Sequence, residues 1–175
     1  MNPPRIVLNR RIVLTSILGV AWAVATRKAD SMPKLREGAQ PVPSLELQTP
    51  TGAAIDFASV IGTPTIVTVW ASWCPSCRAA MPFWERVAAD YARRGVQVIA
   101  VNQRESLDIV QREHSTVPSA LTIWADPNGQ VLTYLQSTDL PTTAFIRRTG
   151  HVSAVVRGPV SSAVVTAMLD QLSTE

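Results

Sequence analysis

Cys74 and Cys77 are the only two cysteines of the 175-residue chain, and they stand three residues apart in Trp70-Ala71-Ser72-Trp73-Cys74-Pro75-Ser76-Cys77-Arg78. That spacing suits reversible dithiol–disulfide chemistry. A helix beginning at Pro75 would put Cys74 at its N-terminus, where free N–H groups and the helix dipole favour a thiolate. Such a setting lowers a thiol pKa from about 8.5 toward roughly 3.5–7.5. Cys74 would attack a partner disulfide to form a mixed disulfide, and Cys77, one turn inward, would resolve it. Pro75 is harmless at the first helical position, where its missing N–H would have had no intrahelical partner. Two other uses of the pair are weaker. Half a zinc site would need a second pair, and His114 and His151 lack the usual ligand spacing. A structural staple over so short a loop would restrict little of the unfolded chain.

The flanking sequence predicts the elements that would hold this pair. Ile66 to Trp70 is β-branched, aromatic and nearly all apolar, as a central strand covered on both faces should be. Cys77, Met81, Trp84, Ala88 and Tyr91 then recur at helical steps and predict one buried stripe, which makes Met81 and Trp84 packing residues. Gly95 ends that helix. Val96 to Val101 is a second apolar strand, residues 106–114 a helix, and Leu121 to Trp124 a short extended run before a turn at Asp126-Pro127-Asn128-Gly129. Upstream, Leu45 to Leu47 and Ala54 to Phe57 alternate about Thr51-Gly52 and predict a hairpin. Downstream, Thr143 to Arg147 and Val152 to Val156 are strands joined at Thr149-Gly150. Ser161 can cap a last helix that buries Val164 or Val165, Met168 and Leu172. Strands alternating with helices and closed by an antiparallel pair make an α/β sandwich on a mixed sheet.

Charge separates this domain from its N-terminal arm. The net charge is +3, yet residues 1–38 hold seven basic and two acidic groups, and the remaining 137 hold nine basic and eleven acidic. A basic domain of the nucleic-acid-binding type is absent, and no nucleic-acid partner is expected. Residues 12–25 carry no charge and no proline and follow Arg10-Arg11, the pattern of a secretory signal. Ala23-Val24-Ala25 offers a small-x-small cleavage site, whereas Arg27 and Lys28 suit a retained anchor. Fourteen residues are short of the ~20 that span a bilayer. A buried helix of the domain fits this arm less well. The expected organisation is a signal peptide or signal anchor over 1–25, a proline-bearing linker over 26–43 and a folded domain over 44–175. The place of action is then periplasmic or otherwise extracytoplasmic, and an uncleaved N-terminal segment would tether the domain to the inner membrane.

Trp73-Cys74-Pro75-Ser76-Cys77-Arg78 with Met81-Pro82 resembles the active-site helix of thioredoxin-fold proteins. More narrowly, VWASWCPSCRAAMP, GVQVIAVNQRES and DLPTTAFIRRTGHV, in that order, resemble the TlpA/ResA-like extracytoplasmic thiol:disulfide oxidoreductases and the related cytochrome-c-maturation thioredoxins. The resemblance covers residues 44–172. It implies a thioredoxin-like fold: a central mixed β-sheet flanked by helices, with an N-terminal β-hairpin extension. It implies a cis bond before Pro141, in Leu140-Pro141-Thr142-Thr143, whose preceding backbone at Leu140 would pair with a bound substrate strand. It places Trp73 on the surface around Cys74. It puts Glu105 where the subfamily carries an acid near the dithiol, to tune the cysteines or relay a proton; the alternative is an exposed carboxylate at a helix start. No metal or organic cofactor is implied. The implied partners are disulfide-containing envelope proteins, apocytochrome c among them, and a transmembrane electron donor. The chain departs from the family at Ala80, where an acidic residue often precedes Met-Pro; that position is expected to face solvent.

Two rivals stand beside a disulfide reductase. One is an oxidase that donates its disulfide, since direction depends on a reduction potential that sequence does not give. The other is a tethered binding module with a structural disulfide. A peroxiredoxin shares the fold but would need its peroxidatic cysteine in a different local motif.

Overall fold

The structure, a computed structural model, describes residues 40–114 and 121–172. The expected arm over 1–25 and most of the linker lie outside the described residues. Among those described, seven strands form one sheet in the order β2-β1-β5-β4-β3-β6-β7. They are β1 (Glu46–Gln48), β2 (Ala54–Asp56), β3 (Thr65–Trp70), β4 (Gln97–Gln103), β5 (Thr122–Asp126), β6 (Thr142–Ile146) and β7 (Val152–Arg157). Four helices pack on it: α1 (Pro75–Ala92), α2 (Leu107–His114), α3 (Gln130–Tyr134) and α4 (Ser162–Leu172). β3, β4 and β5 run parallel, and β6, β7 and the β1–β2 hairpin pair antiparallel around them. This is the thioredoxin-like α/β fold with its N-terminal hairpin, as expected.

β3 lies at the centre and is buried at every position, which is why Thr65-Ile66-Val67-Thr68-Val69-Trp70 has no polar face to give to water. Its residues alternate between two cores. Ile66 and Trp70 join Cys77, Met81, Trp84, Val98, Ala100, Phe145 and Met168 beneath α1 and α4. Val67 and Val69 join Leu47, Phe57, Ile99, Val101, Trp124 and Ile146 on the hairpin side. The buried stripe of α1 matches its sequence period, although Tyr91 ends it half-buried, its hydroxyl 3.4 Å from Thr166 Oγ1. Pairing reaches back to Gln40: Val42 donates to the Gly150 carbonyl, Val152 donates to that of Gln40, and Val42 is buried.

Three local expectations change. Asp126 is the last residue of β5 and fully buried rather than part of a turn, and the turn after it feeds α3, a helix too short to show a period. His151, which follows Gly150 in the predicted turn and is expected to be exposed, is half-buried in a bridge with Pro41. Ala80 is half-buried and packs on the α1 core, so a small apolar side chain suits it. Gly129, at φ +68, permits the turn into α3, and a Cβ there would strike the Arg104 side chain.

Candidate active site

The parallel strands β3, β4 and β5 end on one side of the sheet, and the loops that follow them build the site. β3 ends at Trp70, and four residues later Cys74 caps α1 with extended backbone (φ −90°, ψ 108°). Pro75 takes the first helical position. Cys74 and Cys77 are disulfide-bonded, with Cα atoms 5.3 Å apart. The Cys77 N–H points at Cys74 Sγ at 3.2 Å, and Ser76 Oγ lies 3.4 Å from the same sulfur. After reduction these donors, with the dipole of an 18-residue helix behind them, face a Cys74 thiolate. Cys77 is the deeper residue, 1% exposed against 4% for Cys74.

Beside the disulfide the surface is apolar and uncovered. Trp73 is 66% exposed, which its neighbours in the core make conspicuous. It borders an open groove of about 420 Å³ with Ser72, Pro75 and Arg78. The Leu140–Pro141 peptide bond is cis. β6 pairs antiparallel with β3 up to Val69 opposite Thr142, so Pro141 stands level with Trp70, at the end of the sheet that carries the dithiol. The Pro141 carbonyl accepts from Gly158 N at 2.7 Å, whereas no described hydrogen bond uses the Leu140 amide or carbonyl. Leu140 is half-buried against both cores.

Glu105 is not an exposed helix-start carboxylate: it is 8% exposed. Its oxygens accept from Ser72 N at 2.6 Å, from Ser72 Oγ at 2.5 Å and from Asn102 Nδ2 at 2.6 Å. It therefore clamps the loop between β3 and Cys74 onto the end of β4, and none of these bonds goes to a sulfur. Sequence reasoning missed Ser72 and Asn102. Asn102 sits beside Trp70 in register and is buried, and one polar residue at the end of the apolar run Val98–Val101 was its only signal. Asn102 Oδ1 and Trp70 Nε1 are buried without a hydrogen-bond partner among the described residues, a costly condition that marks this corner as polar at its base. Arg104, one residue before Glu105, is exposed at φ +56°.

A dithiol–disulfide pair at a helix N-terminus, on a thioredoxin-like sheet and beside a cis-proline, defines a thioredoxin-class redox enzyme. The sequence matches the AhpC/TSA family over residues 39–155, and the chain belongs to that family. It is 24% identical over 161 residues to the thiol-disulfide oxidoreductase ResA of Oceanobacillus iheyensis, covering 90% of this chain and 83% of that protein. Among solved structures it resembles a thioredoxin-family thiol:disulfide interchange protein of Chlorobium tepidum (TM-score 0.64, 27% identity, 78% of this chain and 98% of the other). It also resembles a secreted Mycobacterium tuberculosis disulfide oxidoreductase homologous to E. coli DsbE (TM-score 0.63, 26% identity, 74% of this chain and 96% of the other). The chain is thus a thiol-disulfide oxidoreductase of the ResA and DsbE type, with Cys74–Cys77 as its disulfide.

Proposed function

We propose that the enzyme reduces disulfides of client proteins outside the cytoplasm, delivered there by residues 1–25 as a signal peptide or signal anchor and held off the membrane by the 26–43 linker. The observation that carries the direction of attack is Cys74 at the N-terminus of α1, outward of Cys77 and beside exposed Trp73. The Cys74 thiolate attacks one client sulfur, and the other client sulfur leaves as a thiolate and takes a proton from water. Cys77, deprotonated, then attacks Cys74 Sγ, and the first client sulfur leaves and is protonated. Two electrons pass to the client, and the enzyme ends as the Cys74–Cys77 disulfide. A dithiol donor must reset it, and in an oxidising compartment that donor draws electrons across the membrane.

In this reading Trp73 and Pro75 shape the surface that meets the client. The Leu140 amide and carbonyl pair with a client strand, and Pro141 keeps an amide proton out of that position. Glu105 acts through Ser72 and so positions the loop that carries Cys74. The secreted relative from M. tuberculosis supports the compartment. Clients are envelope disulfide proteins, apocytochrome c among them.

The test is a trap. Cys77→Ser, expressed in the native envelope, should accumulate mixed disulfides on Cys74, and mass spectrometry of the adducts names the clients. Absence of any adduct on Cys74 would sink the mechanism. A reduction potential near about −270 mV agrees with a reductase, and one near about −120 mV would reverse the direction.

A further inference from the structure

Two buried hydroxyls flank the cis-proline loop and enter none of the steps above. Ser137 is 8% exposed and Thr142 is fully buried, while Thr138 and Asp139 between them are exposed. Their hydrogen bonds close a ring through the backbone of Asp139. The Thr142 hydroxyl donates to the Asp139 carbonyl at 2.7 Å. Its one proton is thereby used, so Ser137 is the donor in the 2.8 Å contact between the two hydroxyls. Ser137 Oγ in turn accepts from Asp139 N at 3.2 Å. Ser137 N anchors the ring to α3, donating to the Leu132 carbonyl at 3.2 Å.

The ring fixes more than Asp139. The Asp139–Leu140 peptide is trans, and in a planar trans peptide the C=O and N–H point to opposite sides. With its carbonyl drawn to buried Thr142, this peptide turns the Leu140 N–H the other way. No described hydrogen bond uses that N–H. Pro141 has no N–H, and its carbonyl is held by Gly158 N at 2.7 Å. Leu140 is thus an open pairing edge between two carbonyls that are both tied down. A donor held in place beforehand binds more tightly than one that must first be ordered.

Resting on the proposed pairing of Leu140 with a client strand, we propose that Ser137 and Thr142 are positioning residues for client binding, whose hydroxyl relay aims the Leu140 N–H at a backbone carbonyl of the client. No described hydrogen bond joins either hydroxyl to a sulfur. Exchange proceeds at Cys74 as above. The relay favours disulfides set in extended polypeptide over small disulfides that have no peptide bond.

The test compares two substrates in single-turnover reactions of the full chain, reduced beforehand. One is a synthetic peptide with an internal disulfide. The other is hydroxyethyl disulfide, which has no peptide bond. Thr142→Val removes the hydroxyl and keeps the branched side chain. It should raise the half-saturating concentration of the peptide about five- to tenfold, the effect of one mis-aimed hydrogen bond, with little change in the limiting rate. Its rate with hydroxyethyl disulfide should stay within about twofold of the parent, since no strand pairing is lost there. Thr142→Ser restores the hydroxyl and should return the peptide value to within about twofold of the parent. Should Thr142→Val not fold, Ser137→Ala carries the same contrast, with a rise of about threefold for the peptide alone. Equal losses on both substrates, or an unchanged half-saturation for the peptide, overturn the proposal. A parent that reduces both substrates without saturating in the peptide overturns the pairing at Leu140 and the relay's role with it. Failure of the parent to reduce either substrate overturns the reductase reading itself.

Discussion

Two buried carboxylates stand at the C-terminal ends of neighbouring strands, Glu105 two residues past β4 and Asp126 at the last position of β5. Each binds the segment that starts nearby, and the difference lies in what that segment carries. Glu105 takes three donors from Ser72 and Asn102 and so holds the loop that leads to Cys74. Asp126 Oδ2 accepts from Val131 N in the first turn of α3 at 2.8 Å, while Oδ1 is buried with no hydrogen-bond partner among the described residues. Helix α3 in turn carries Tyr134, whose hydroxyl donates to the Gln40 and Pro41 carbonyls at 3.1 and 2.8 Å. One acid supports the redox loop and the other supports the entry of the chain into the sheet. The same group in the same kind of place holds the loop before Cys74 or the start of α3 according to which strand it terminates.

The largest effect should come from Asp126→Ala. It removes the acceptor that faces the first turn of α3 and leaves the Val131 N–H unmatched in a fully buried place, a loss of about 2–3 kcal/mol. The melting temperature of the oxidised protein should drop by roughly 5–10 °C. The rate of disulfide reduction per folded molecule should stay within about twofold of the parent. A rate loss as large as that of Glu105→Ala would break the comparison, since it would mean that Asp126 also serves the dithiol.

Glu105→Ala should show the opposite signature. An alanine removes both acceptor oxygens and leaves the Ser72 and Asn102 donors unmatched. An unmatched buried donor is worth about 1–3 kcal/mol, and about 1.4 kcal/mol is tenfold in rate. Reduction of a model disulfide should slow about tenfold. The pH profile of Cys74 alkylation reports whether the loop has shifted, which a purely structural role would not move. Glu105→Gln can set its oxygen against Ser72 N and Asn102 Nδ2 and donate its NH₂ to Ser72 Oγ, so it keeps the clamp. The glutamine variant should keep most of the parent's rate, and if it is as slow as the alanine variant the clamp is not what Glu105 supplies.

These two residues also mark how far the sequence could be read. The dithiol, its strand and its helix were legible because each depends on local pattern: cysteine spacing, an apolar run, a buried stripe every three or four residues, a proline at a helix start. The cis bond at Pro141 came from the resemblance of Leu140-Pro141-Thr142-Thr143 and was present. Ser72 and Asn102 were not legible, because their roles arise only when β3 and β4 lie side by side and bring residue 72 against residue 105. Asp126 was misplaced for a related reason. Asp-Pro-Asn-Gly is a turn signal whatever precedes it, and only the ladder to Gln103 shows that its first residue is still strand.

The smallest effect lies at the far end of the architectural route. Burial raises the Tyr134 pKa above the ordinary 10.0. A raised acid pKa means that the fold prefers the protonated phenol, which is also the form that donates to Gln40 and Pro41. Its contribution is therefore whole below about pH 10 and is lost as pH rises through the folded-state value. One proton shared between two carbonyls, from a half-buried hydroxyl, should amount to about 1 kcal/mol. Tyr134→Phe should lower the melting temperature of the oxidised protein by a few degrees at neutral pH. The gap between parent and variant should hold steady to about pH 9 and close as the solution rises past pH 10.0 toward the higher folded-state value, because the phenylalanine protein has nothing there to ionise. Reduction rates should not differ between the two at any of these pH values. A gap that stays constant through pH 11 would show that the ring's packing against Phe57, 6.4 Å away edge to face, accounts for the stabilisation and that the hydroxyl adds nothing.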